Sequence, residues 1–151
     1  MTDTIPSYLD ISPSNGLSLD EKSAAKHFLG KSEVSASVMI AENAMYYLEY
    51  FKYMGAKAFA YYLKSILLYL KSDKNDFDPD VLFSLIQTIQ LRINHDKTSI
   101  LMAAESINQL MSYLYENYDK FDIESDIHGD LRTEIKHIKF SLEFCMKVES
   151  K

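Results

Sequence analysis

Apolar residues recur along most of this chain at alternating spacings of three and four, which is the repeat of one face of an α-helix. The most regular series is Ile100, Ala104, Ile107, Met111, Leu114 and Tyr118. Two further series are Leu82, Leu85, Ile86, Ile89 and Ile93, and Ile127, Leu131, Ile135, Ile138, Leu142 and Cys145. No segment alternates apolar and polar residues over the length of a strand. The pattern predicts an all-α fold, a compact bundle of five to six helices.

The stretch from Asn43 to Leu70 is the most apolar and most aromatic part of the chain, and Gly55 interrupts it once. The apolar stripe before the glycine is Val34, Val38, Ala41, Met45 and Leu48. The stripe after it is Phe59, Leu63, Ile66 and Leu70. Glycine lacks a Cβ and is the usual left-handed residue after a helix. We therefore predict a helix capped by Ser32 that runs to Met54, a left-handed Gly55, and a second helix from about Ala56 to Lys71. The two should form a tight hairpin; one helix kinked at Gly55 is the alternative.

Residues that favour helix ends place other boundaries. Ser18 and Glu21 have the spacing of a capping box, so a short helix should follow and stop at Gly30. Asp78 followed by Pro79 is a strong helix start. Aspartate caps the first turn, and proline fits the first helical position because the N–H group that it lacks would have no hydrogen-bond partner within the helix.

The start of the chain differs from the rest. It contains Pro6, Pro13 and Asn15-Gly16, and its apolar residues show no helical period. We predict an extended N-terminal arm over residues 1–17 and a single helical domain over residues 18–151. A chain of 151 residues is typical of one domain.

Composition narrows the class of function. The net charge is −6, so the surface should repel a phosphate backbone, and nucleic-acid binding is not expected. The longest apolar run, Ala58 to Leu70, contains Lys64 and is shorter than the about 20 residues that span a bilayer. The first residues lack the basic and apolar regions of a signal peptide, and a single cysteine, Cys145, cannot form an internal disulfide. We expect a cytoplasmic protein with no membrane partner and no cofactor.

The negative charge is concentrated in two polar segments. Residues 73–80 contain four acidic residues and one lysine, a charge of −3, and residues 116–130 contain six acidic residues and one lysine, a charge of −5. The remainder of the chain therefore carries +2. Tyrosines are enriched where protein surfaces meet. The candidate partner-binding residues are Asp122, Glu124, Asp126, Asp130, Tyr47 and Tyr61.

The acidic residues permit two other interpretations. Carboxylates near a helix N-terminus are favoured by the helix dipole and aid solubility without any partner. Alternating Asp122, Glu124, Asp126, His128 and Asp130 would also offer ligands to a hard cation. We predict no metal site.

Two short motifs fall short of the sites they resemble. Gly30-Lys31-Ser32 ends like a phosphate-binding loop, but Ala25 stands where that loop requires a glycine. Residues 73–80 have the aspartate spacing of a calcium loop, but Val81 and Gln87 replace the required glycine and glutamate. We expect a helix stop in the first case and a polar linker in the second.

Arg132 and His137 have an R-x4-H spacing that resembles the ribonuclease motif of HEPN domains, which are small helical bundles. In that family a polar residue, often asparagine or aspartate, usually follows the arginine; here it is Thr133. The resemblance implies that Arg132 and His137 would bind and activate an RNA phosphate at a dimer interface. On an ideal helix, side chains five residues apart point about 140° away from each other.

A second resemblance covers about residues 18–72. The segments His27–Ser32 and Tyr53–Leu63, with Tyr47 between them, are similar to the pattern FLGKS followed by MG..AF.YYL of an uncharacterised bacterial family. That family has no assigned activity. The resemblance implies a bacterial cytoplasmic protein in which Gly55 and Phe59–Tyr62 form a fixed helical corner.

These observations favour a non-enzymatic interaction domain over an enzyme. Its most concrete form is an immunity or antitoxin-like protein that covers a basic partner, such as a nuclease toxin, with its acidic loops. One alternative is a HEPN-like ribonuclease that uses Arg132 and His137. The other is a structural subunit that forms a homo-oligomer through the tyrosine-rich hairpin.

Overall fold

The computed structural model describes the backbone of residues 4–149 and the side chains of residues 4–147. This part of the chain is all-helical and contains no strand. Its α-helices are α1 (Tyr8–Ile11), α2 (Leu19–Phe28), α3 (Glu33–Glu42), α4 (Ala44–Leu48), α5 (Ala56–Lys71), α6 (Pro79–His95), α7 (Lys97–Glu116), α8 (Ser125–His128) and α9 (Leu131–Glu149). Two 3-10 turns cover Glu49–Lys52 and Tyr118–Phe121. The nine helices of residues 4–149 exceed the predicted five to six, because three of them have only four or five residues.

Capping side chains account for most of the helix starts. Ser32 and Asp78 cap α3 and α6 as predicted, and Gly30 takes a left-handed φ of +80° after α2. Ser18 caps α2, but the box with Glu21 is incomplete. The carboxylate of Glu21 instead accepts hydrogen bonds from the backbone and hydroxyl of Ser14, at 3.0 and 2.7 Å. Glu21 therefore holds the preceding loop against α2.

The prediction of one helix from Ser32 to Met54 is wrong. Asn43 ends α3, and its side-chain oxygen accepts from the Tyr46 N–H to start α4. A polar residue that bonds to its own backbone competes with helix continuation. Because of this break, the buried residues of α3 are Ala36, Met39 and Ile40. Val34 and Val38, predicted to face the core, are exposed.

Gly55 is required for a reason other than a left-handed turn. Its φ is −59°, and it is the N-cap residue of α5. A Cβ at this position would lie 2.2 Å from the Asp10 carbonyl oxygen and 2.7 Å from Cγ of Pro13. The Gly55 N–H also donates to the Ile11 carbonyl at 3.0 Å. Glycine therefore allows the N-terminal segment to lie directly against the start of α5.

The segment predicted as an extended arm contains a helical turn. Ser7 and Asp10 form a reciprocal capping box around α1. Ile11 ends this turn and is fully buried. The segment is therefore part of the folded body from α1 onward, because one apolar side chain anchors it beside α5.

The central helix is α5, which contacts α1, α3 and α7; α7 in turn contacts α6 and α9. The helices α5, α6, α7 and α9 supply most of the buried residues. The Tyr113 hydroxyl donates to the Leu70 carbonyl at 2.7 Å, so the C-terminal ends of α5 and α7 lie side by side. Within residues 4–149, no helix combines the length and the apolar character that crossing a bilayer requires.

Candidate functional site

The two acidic segments, residues 73–80 and 116–130, lie side by side at one end of the bundle. His128 Nε2 is 3.0 Å from the Asp80 carboxylate, and the rings of Phe77 and Phe121 meet edge to face with centroids 5.1 Å apart. Each contact joins one segment to the other. We call this surface the acidic end; it gathers residues that are about 40 positions apart in the chain.

The loop between α5 and α6 is held in one shape. The Asn75 amide is buried, donates to the Leu70 carbonyl at 2.8 Å and accepts from the Phe77 N–H at 2.8 Å. Phe77 takes a left-handed φ of +55°, which is unfavourable for an aromatic residue and must be offset by its contacts. The contact with Phe121 is one of these. The acidic residues around Phe77 therefore extend from an ordered loop.

His128 links the second segment to the first. Its ring is buried and meets the ring of Phe83 at 5.8 Å. Nδ1 accepts from the Glu124 N–H at 3.4 Å, so in the neutral ring the proton is on Nε2 and is donated to Asp80. The histidine therefore has a structural role, and the side chains of Glu124 and Asp80 remain exposed around it.

The four predicted acidic residues are all exposed but differ in their bonding. No cation among the described side chains lies within ion-pairing distance of Asp122, Glu124 or Asp126. The Asp130 carboxylate accepts from the hydroxyl and the N–H of Thr133, at 2.7 and 3.2 Å. The Thr133 hydroxyl and then its N–H lower the pKa of Asp130. Asp130 therefore caps α9, and the other three carboxylates are available to a partner.

The two predicted tyrosines lie in different environments. Tyr61 is only 8% exposed, and its hydroxyl accepts from the Glu33 N–H at 3.1 Å. The structure therefore does not present the Tyr61 ring at the surface, because α5 directs it toward α3. Tyr47 is half-buried in α4 and meets the His27 ring at 5.6 Å.

Tyr47 belongs to a surface cluster that the sequence does not reveal. Its members are His27, Tyr46, Tyr47 and Tyr50. The Tyr50 hydroxyl donates to Tyr46 at 3.0 Å, and the Tyr46 hydroxyl lies 3.2 Å from His27 Nε2. The hydrogen bond to Tyr46 and then burial raise the pKa of Tyr50 to about 12. The i, i+4 spacing of Tyr46 and Tyr50 was the only available signal, since His27 comes from α2.

The pH dependence of stability should include a contribution from His27. Burial, and then the charge of Lys26, lower the pKa of His27 below its ordinary value of 6.5. The unfolded chain therefore binds this proton at a higher pH than the folded chain, and stability should fall as pH decreases through about 6.5 toward the folded pKa. Denaturant unfolding at pH 7.5 and at a pH below 6 measures this decrease in the free energy of unfolding. His27→Gln should lose part of this pH dependence; an unchanged pH profile in the variant would contradict the assignment.

The structure does not bring Arg132 and His137 to one site. Arg132 pairs with Asp119 at 3.0 Å, and its guanidinium lies 4.5 Å from the centre of the Tyr118 ring. His137 is exposed and lines a crevice between α6 and α9 together with Gln90. The ribonuclease hypothesis needs both side chains at one phosphate, whereas here they have different neighbours on one helix.

The acidic end presents most of its carboxylates at the protein surface. Among the described residues, no group of three or more histidine, cysteine, aspartate or glutamate side chains has an arrangement that would hold a metal ion. Its exposed carboxylates surround the contacts that His128 and Phe121 make with residues 73–80. The chain matches no protein-family model, no curated protein and no solved structure.

Proposed function

We propose that this chain is a non-enzymatic interaction domain that binds a basic protein partner through its acidic end. One observation carries the proposal: the contacts of His128 with Asp80 and of Phe121 with Phe77 join two segments that together carry a charge of −8. Folding costs free energy when it gathers like charges, unless they are compensated. A basic partner would supply that compensation.

The kind of partner expected follows from the negative charge of the acidic end and from the fixed conformation of its loops. Carboxylates without ion pairs attract a cationic protein over a distance and accelerate encounter. Because Asn75 and His128 hold the loops in one shape, binding would not have to order them first. A basic nuclease toxin is such a partner, and an immunity or antitoxin-like role in the cytoplasm is the concrete form of the proposal.

Neutralising three exposed acids should weaken the complex. The variant is Asp122→Asn, Glu124→Gln and Asp126→Asn, in which asparagine also tolerates the left-handed φ of +51° at position 122. We expect the Kd to rise about tenfold or more and to depend less on salt concentration, because fewer charges attract the partner. The partner is isolated with the tagged full-length chain from the organism of origin, identified, and its affinity is measured with purified proteins.

A charge-matched variant controls for net charge. Asp20→Asn, Glu105→Gln and Glu143→Gln remove the same charge from exposed residues outside the acidic end. This control should bind within about twofold of the unmodified chain, since its changes lie away from the interface. Equal affinities of the two triple variants would overturn the proposal.

A further inference from the structure

An apolar groove of about 490 Å³ lies between α3 and the C-terminal end of α5. Val38 and Ala41 line it from α3, and Tyr69 lines it from α5. At one end the groove reaches Asp73, the first residue of the acidic end. This apolar depression therefore continues directly to the edge of the acidic end.

Helix α3 exposes two apolar side chains that its own packing does not need. Val38 is 60% exposed and Val34, one turn earlier, is 64% exposed, although both continue the apolar period of the chain. The helix already buries Ala36, Met39 and Ile40 against the body. Val38 thus adds apolar surface that the fold itself does not use.

Charges around the groove restrict what would fill it. Glu42 and Asp73 line it from opposite sides, and Lys74 is the one cation among its lining residues, all of which lie in the described part of the chain. Three further acids of the acidic end follow Asp73 in the chain, at positions 76, 78 and 80. An apolar side chain flanked by cations complements this arrangement better than an acidic or uniformly polar segment does.

We infer that the partner docks through a basic amphipathic helix, whose large apolar side chain enters the α3–α5 groove while its lysines and arginines face Glu42, Asp73 and the acidic end. This inference rests on the proposed function and names the chemistry of the segment it requires. A helix laid into a hydrophobic groove is a common mode of peptide recognition, and two neighbouring helices provide such a groove here.

Two synthetic peptides test the inference without the natural partner. One has leucine on one helical face and lysine elsewhere; the other has the same lysines with serine in place of every leucine. Each is titrated into the full-length chain, with amide chemical shifts reporting the site and the affinity. We expect the leucine peptide to bind at least about tenfold more tightly, with shifts at Val38, Ala41 and Tyr69.

A pair of matched variants separates the groove from general charge attraction. Val38→Glu places a charge in the groove. Val34→Glu places the same charge one helical turn away, at a position that does not line the groove. Both variants add negative charge, so attraction alone would raise the affinity for a basic peptide. The inference expects Val38→Glu to lose the preference for leucine over serine and Val34→Glu to keep it, with unfolding curves confirming that both are folded.

The outcomes distinguish the two proposals. If both peptides bind the acidic end equally well, the groove inference is overturned and the proposed function stands. If neither peptide binds, both are overturned. If the leucine peptide binds more tightly but shifts residues away from α3 and α5, or if both valine variants behave alike, the groove inference is again overturned.

Discussion

Replacing Arg92 with methionine should lower the free energy of unfolding by about 3 kcal/mol. Arg92 lies in α6 and is only 5% exposed. Its Nη1 donates to the Met54 carbonyl at 2.7 Å and lies 3.5 and 3.4 Å from the carbonyls of Phe51 and Lys52. These carbonyls lie at the end of the 3-10 turn and between that turn and α5. Methionine would leave them without this donor, and those of Phe51 and Met54 are buried.

The other side of the guanidinium holds the corner between α6 and α7. Nη2 donates to the Ser99 hydroxyl and pairs with Asp96 at 3.2 Å. The same group lies 4.5 Å from the centre of the Phe59 ring. Arg92 therefore joins three parts of the bundle with one side chain. Lysine at this position should be nearly as destabilising as methionine, because its single nitrogen cannot reach both sets of acceptors that Nη1 and Nη2 of the guanidinium reach separately.

Denaturant unfolding monitored by circular dichroism measures this effect. Lys22→Met is the matched control, since Lys22 is exposed on α2, and it should change stability by no more than about 0.5 kcal/mol. A loss of less than about 1 kcal/mol in Arg92→Met would contradict the role assigned to this residue.

Replacing Gly55 with alanine should displace the N-terminal segment and cost about 2 to 3 kcal/mol. The added Cβ would lie 2.2 Å from the Asp10 carbonyl oxygen, a contact that only backbone movement can relieve. Movement of this segment would expose Ile11 and break the hydrogen bond from the Gly55 N–H to the Ile11 carbonyl. Hydrogen exchange at the residue 55 amide and unfolding curves together report both effects.

Gly30→Ala is the control for Gly55→Ala, because it introduces backbone strain without a steric clash. Gly30 has a φ of +80°, and a Cβ there meets nothing within 4 Å. Alanine should cost only about 1 kcal/mol through its unfavourable φ, and protection of the Gly55 amide should stay unchanged. If both glycine variants lose protection at residue 55 to the same degree, the close approach of α1 is not the reason for glycine at that position.

The sequence predicts those helices whose formation and ends depend on local residue patterns. The regular stripes of α5, α6 and α7, and Leu131 to Leu142 of α9, are mostly buried as predicted, because a long amphipathic helix can bury only one face. The prediction is wrong for Ile127, which is exposed because Gly129 separates the short helix α8 from α9. The caps at Ser32 and Asp78 are also local and were predicted from residue type. Asn43 was missed because a single asparagine within an apolar stripe has no strong periodic signal, although its side chain bonds to the backbone and ends α3.

The candidate site depends on long-range contacts and was therefore only partly predictable. The exposed positions of Asp122, Glu124 and Asp126 follow from polar sequence, but their proximity to Asp80 depends on the contact made by His128. The role of Gly55 depends on where a distant carbonyl lies. The tyrosine cluster joins α2 to α4 through His27, whose sequence neighbourhood carries no sign of it.

The most direct test of the central claim is a hydrogen-exchange map of the chain with its partner bound, compared with the free chain. If the acidic end binds the partner, amide exchange should slow in residues 73–80 and 116–130. Slowing confined to another surface, such as the outer face of α9 where Phe140 and Phe144 are exposed, would contradict the account.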